Sequence, residues 1–241
     1  MADKLVLKGP AKSIWLNGYD ISAESNRINL ESAIEEQPSD NFANGAKETE
    51  PGMEMVKGTV AVMLPITFAW EKALFDARGT GVVLAFCFEG NSAGQLAYAV
   101  YGLSTKHYPG AQVGQLLGTT VELASKGTPM LRGKVLEAVT QRSASGNSGS
   151  LQLVGGVPSG QSLWIAYQVR EMTATNLAAV LQRDDNAGFS SPLTAITLST
   201  FTAVGGEVKS VAGPITDDYY RLAFTLTGVG NYQVAAILAV Q

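Results

Sequence analysis

From Ser150 to Val240 the chain is a succession of short apolar segments cut by turn residues at roughly regular spacing. Seven segments carry the pattern: residues 150–154, 162–169, 176–183, 193–202, 207–211, 219–227 and 232–240. No helical periodicity runs through any of them. A series of half-buried strands joined by turns specifies a β-sandwich. The last two segments frame Gly228-Val229-Gly230-Asn231, a glycine-rich hairpin tip.

The first half of the chain is organised around residues 52–88. Val56, Val60, Val62 and Leu64 share one parity and Lys57 and Thr59 the other, which is the period of a half-buried strand. Pro65 has no N–H to donate and ends the ladder. Thr67 is a helix N-cap residue type. Trp70, Ala73, Leu74 and Ala77 then fall at i, i+3, i+4 and i+7, the apolar face of a helix over 68–78. Gly79 is placed to cap its C-terminus. Residues 82–88 are apolar throughout and read as a strand covered on both faces.

Around this block, residues 14–22 read as strand, turn, strand, because Asn17-Gly18 tolerates positive φ at both positions. Residues 27–30 form the next strand. Residues 31–50 are acidic, contain Pro38 and have few apolar side chains. They read as a long polar loop or a hairpin tip, solvated or ordered against a neighbouring subunit. Residues 96–103 form a strand, and 115–124 with 130–139 form a hairpin across 125–129. Residues 140–150 are rich in Ser and Gly and read as a flexible linker. The expected fold is mainly β. A sandwich or barrel with one flanking helix (about 67–78) occupies residues 1–140, a linker 141–150, and a second, all-β sandwich 151–241, displayed outward.

Candidate chemistry is sparse. The net charge of −4 leaves no basic footprint for tight nucleic-acid binding. Cys87, the single cysteine, lies in the most apolar run and reads as an inert core thiol. No Cys/His cluster offers a zinc site, and residues 1–13 lack the apolar run of a signal peptide. No stretch approaches the length of a membrane-spanning helix, so the protein is expected to be made in the cytoplasm. His107 is the only histidine, and no Gly-x-Ser-x-Gly elbow supplies a nucleophile for it. Asp184, Asp185, Asn186 and Gly188 resemble part of a calcium loop, with Asp217 and Asp218 to close it, but the terminal Glu is missing. The competing reading is an Asx-rich turn. Trp15, Trp70 and Trp164 sit in apolar pattern and read as core. Of Tyr219 and Tyr220, one must face outward if the segment is a strand. No catalytic set, cofactor site or metal site emerges.

Two stretches resemble structural proteins of tailed bacteriophages. Residues 14–64 resemble the opening of phage tail tube proteins: a hydrophobic-Asn-Gly-x-Asp-hydrophobic-Ser phrase (Leu16 to Ser22), a polar acidic stretch with Asp40-Asn41-Phe42 and Gly45, then a strand over 52–64. Residues 213–240 resemble the closing strands of β-sandwich modules in phage structural proteins. The resemblance implies a subunit of a ring, six copies per ring, with rings stacked into a tail tube. It implies loops that reach the adjacent ring, and contacts to other virion proteins and to DNA passing without sequence specificity. It points to no membrane and no cofactor, and to a place in the virion after assembly in the host cytoplasm. The side chains expected at subunit interfaces are Ile34, Phe42, Tyr219 and Tyr220. The rival expectations are a capsid decoration or cement protein and a carbohydrate-binding adhesin module. An enzyme is not expected.

Overall fold

A computed structural model describes residues 13–23, 25–38, 49–63, 69–110 and 118–241. In chain order the strands are β1 (Ser13–Leu16), β2 (Tyr19–Asp20), β3 (Ser25–Pro38), β4 (Thr49–Met63), β5 (Gly81–Cys87), β6 (Leu96–Gly110), β7 (Gly118–Ser125) and β8 (Leu131–Arg142). They continue as β9 (Gly146–Asn147), β10 (Leu151–Gln152), β11 (Ser162–Met172), β12 (Asn176–Asp184), β13 (Leu193–Thr197), β14 (Gly205–Ala212), β15 (Tyr219–Thr227) and β16 (Tyr232–Val240). Among the described residues one helix, α1 (Ala69–Asp76), follows β4 and precedes β5 in the chain. The protein is mainly β, as expected.

The chain divides into two compact units. The larger comprises residues 1–24, 82–99 and 131–241; the smaller comprises 25–81 and 100–130. This differs from the expected boundary at 140–150. The smaller unit is an insertion, and the supposed linker belongs to the larger unit. Tyr232 of β16 pairs with Arg142 at the end of β8. Gly146 and Asn147 pair with Phe224 and Ala223 of β15. The Leu226 N–H donates to Ser145 Oγ at 2.9 Å and the Leu222 N–H to Ser148 Oγ at 2.8 Å. Ser and Gly read as flexible only where no strand edge is at hand; here the edge of β15 takes up their backbone and hydroxyls.

In the larger unit the strands of one sheet run β14-β11-β16-β8-β6-β5-β1-β2, with β6 contributing its first four residues. The second sheet runs β10-β15-β12-β13, with β9 also on β15. Alternate residues point between the sheets. Leu163, Ile165, Tyr167 and Val169 of β11 join Tyr232, Val234, Ala236 and Leu238 of β16. They face Leu177 and Leu181 of β12 and Tyr220, Leu222 and Phe224 of β15 in one buried core. Each such large side chain contributes roughly 1.5–3 kcal/mol on burial. The other parity of β16, Ala235, Ile237 and Ala239, is buried as well, which accounts for its continuous apolar sequence. The first sheet curls, so that the β1–β2 turn meets β11 and β14. The Gly18 N–H donates to Gln168 Oε1 at 2.6 Å, and Arg170 pairs with Asp20 at 2.8 Å. Asn17 and Gly18 take φ of 49° and 91°. A Cβ on Gly18 would stand 2.2 Å from the Val169 carbonyl oxygen, so the turn requires glycine for both conformation and space.

In the smaller unit the order is β3-β4-β7-β6, all antiparallel. Val56, Val60 and Val62 of β4 are buried and Lys57 is exposed, the parity read from the sequence. Val60 lies opposite Val121 of β7, which is also buried. Trp70 and Leu74 of α1 are buried, and Gly79 follows with φ of 81°. One expectation is corrected and one choice between alternatives is decided. The hairpin across 125–129 does not form: β7 pairs with β4 and with Gly102–Gly110 of β6, while β8 pairs with Leu96–Ala99 of β6 and with β16. Of the two readings of residues 31–50, the described residues 31–38 and 49–50 follow the hairpin, because β3 and β4 pair antiparallel out to Pro38 and Thr49.

Candidate assembly surface

The pairing of β7 with β4 ends at Lys57, opposite Ala124. Beyond that point β4 has β3 as its only ladder partner among the described residues. The outer part of the β3–β4 pair is therefore a two-stranded arm: residues 32–38 with 49–56. Val56, at its base, is buried, and its other described side chains, Ser32, Ala33, Ile34, Glu54 and Met55, are exposed. Ile34 is 60% and Met55 46% exposed. Pro51 and Pro38 fit there because a strand outside the sheet's interior has no ladder bond to lose at a missing N–H. A two-stranded ribbon without a packed face is marginal in water. Among the described residues the arm presents an open edge and two exposed apolar side chains, Ile34 on one face and Met55 on the other.

The residues expected at interfaces divide three ways. Ile34 is on the arm and faces solvent opposite Glu54. Phe42 lies outside the described residues. Tyr219 is half-buried on β15, opposite Asp184 and Gln152. Tyr220 is corrected from interface to core: it shares the inward parity of Leu222 and Phe224, is fully buried, and its hydroxyl donates to the Asp217 carbonyl at 2.8 Å. Burial pushes its phenol up to about 12. Met55 was missed because β4 was read only for its inward parity, and an apolar residue in a polar neighbourhood gave no periodic signal.

The acidic positions of the larger unit are occupied by protein donors. Asp184 accepts the N–H groups of Asn186 and Ser191, each at 2.9 Å. Burial pushes its carboxyl up, but the Ser191 and Asn186 donors and the adjacent Asp185 outweigh this and hold it below the usual carboxylate range. Asp185, hydrogen-bonded to Asp184, is pushed up. Arg183 stands 2.9 Å from Asp217, and Gln152 donates to Asp218 at 2.8 Å. This is the Asx-turn arrangement. Among the described residues no group of three or more His, Cys, Asp or Glu could hold a metal ion. Cys87 is buried, which pushes its thiol up to about 12. His107 is in the β6 ladder opposite Val121. Trp15 and Trp70 are buried and Trp164 is half-buried. Among the described residues no helix is long and apolar enough to cross a membrane, which says nothing of a β-barrel.

No family model matches the chain, and no curated protein matches it in sequence. Among solved structures it is similar to the Dit protein of phage SPP1, described as a paradigm of the hub adsorption apparatus in phages infecting Gram-positive bacteria. That match has 12% identity and a TM-score of 0.37, over 96% of this chain and 100% of the other. It is also similar to the VP2 subviral particle of infectious bursal disease virus, with 13% identity and a TM-score of 0.33, over 95% of this chain and 55% of the other. At these scores neither likeness carries a functional argument.

Proposed function

We propose that the chain is a virion structural protein, and within that class a tail tube subunit that assembles with copies of itself into stacked rings. The observation that carries this reading is the β3–β4 arm, a ribbon whose described side chains beyond Val56 are all exposed. Such a ribbon gains most by adding its edge to another copy, since strand addition satisfies backbone donors and acceptors along its length. The sequence phrases over 14–64 and 213–240 point to the same class. In this reading the partners are further copies and other virion proteins, and the place of action is the virion after assembly in the host cytoplasm. Catalysis, cofactors and membranes have no part in it. The net charge of −4 suits a lumen along which DNA slides without sequence-specific retention.

Negative-stain microscopy and light scattering of the purified protein test the reading. Rings or tubes are the expected result. Trimers that bind only a capsid surface would replace it with a decoration role. A monomer that binds glycans on an array would replace it with an adhesin role.

A further inference from the structure

Along one side of the larger unit runs an open groove of about 780 Å³, within the range of ligand-binding clefts. Part of its lining comes from β8 and β16. Lys134 of β8 lies opposite Leu238 of β16, and opposite residues of antiparallel strands share a face. Leu238 is in the inter-sheet core. The core face of β8 therefore carries Lys134 and, two residues back, Arg132. A face that elsewhere packs under the second sheet here holds two exposed cations, about 6.6 Å apart along the strand.

Arg132 is held in place. Its Nε donates to the Tyr98 hydroxyl at 3.0 Å, and the Tyr98 ring stands edge-on to Phe88 with centroids 5.2 Å apart. The terminal guanidinium nitrogens are left for a planar, bidentate anion such as a carboxylate. Among the described residues no ion pair holds Arg132 or Lys134. Glu89, the carboxylate among the described lining residues, accepts the Leu96 N–H at 3.1 Å.

The walls narrow the choice of anion. Leu96, Leu153, Val154, Pro158 and Val240 line the groove, and its described lining residues include no aromatic side chain. Nucleobases are given no ring to stack on. Aliphatic walls match aliphatic side chains, and Val154, 87% exposed, gains by being covered. An extended polypeptide repeats its same-face side chains at the spacing of the two cations.

We infer that this groove binds an extended acidic segment of a partner protein. One carboxylate takes the guanidinium of Arg132, the carboxylate two residues along takes Lys134, and aliphatic side chains lie against Leu153 and Val154. The site is built by the larger unit alone, so it operates whether or not the chain forms rings.

Fluorescence anisotropy on the full-length chain tests this, with a short labelled peptide carrying glutamates two residues apart among valines and leucines. Saturable binding is expected, weakened about tenfold or more when glutamines replace the glutamates. Arg132→Gln should weaken it about tenfold, and Arg132→Lys nearly as much, because an ammonium cannot make the paired bonds. Lys134→Gln should weaken it about threefold, whereas Lys134→Arg should be tolerated. Tyr98→Phe, which releases the guanidinium, should weaken it about threefold. Melting curves establish that each variant is folded; should Arg132→Gln not fold, Lys134→Gln and Tyr98→Phe carry the same test. No saturable binding, or binding that these variants leave unchanged, overturns the inference. Tighter binding of an acidic oligosaccharide or of single-stranded DNA, lost in the same variants, also overturns it and makes the groove a glycan or nucleic-acid site.

Discussion

The core of the sandwich and the β3–β4 arm are both antiparallel β-structure, yet they are held together by different means. In the sandwich, β16 is paired on both edges, by β11 and β8, and buried on both faces. In the arm, β3 is paired along one edge among the described residues, by β4, and the described side chains beyond Val56 are exposed on both faces. Backbone pairing alone makes a ribbon; side chains packed between layers make it stable. The difference separates the part of the molecule that folds for itself from the part that calls for a partner.

The largest effect is expected where the sandwich is cut. Removing residues 141–241 takes away β16, the partner of β8, and all of β9 to β15, so the remaining residues 1–140 should be unfolded or aggregated by circular dichroism and size exclusion. A folded fragment would mean that the first 140 residues have their own core after all. Within the sandwich, Leu222→Ala should cost about 2–5 kcal/mol in chemical denaturation, because Leu222 is fully buried in the inter-sheet core. Gly18→Ala should cost about 1–3 kcal/mol, from strain at φ 91° and the contact with the Val169 carbonyl. On the arm, Ile34→Ser should change stability by no more than about 0.5 kcal/mol while weakening self-association. A cost near that of Leu222→Ala would show that the arm is packed in the single subunit and would erase the contrast.

Much of the sandwich was legible because its faces differ. Tyr219–Thr227 and Tyr232–Val240 are strands at the residues read from their apolar runs and flanking turns, and Asn17-Gly18 makes the turn its two residues favour. Tyr220 could have been placed in the core by the same alternation, since it is in step with Leu222 and Phe224. What was not legible depends on distant pairing. Nothing in residues 141–150 announces that β15, some 70 residues later, takes up their hydrogen bonds. The pairing of β8 with β16, which makes the smaller unit an insertion, leaves no local trace either. The arm was left between loop and hairpin tip for a third reason. A ladder held by backbone bonds with both faces in water imposes no hydrophobic period, so its Glu, Ser and Ala residues look like solvated coil.

Hydrogen exchange of the amides in β3 and β4, compared between dilute subunits and the assembled form, tests the central claim most directly. The arm amides, residues 32–38 and 49–56, should exchange near the unprotected rate in the free subunit and become protected on assembly. Amides of β11 and β16 should be strongly protected in both states. Equal protection of the arm in free and assembled protein would contradict the account, because the ribbon would then be stable without a partner.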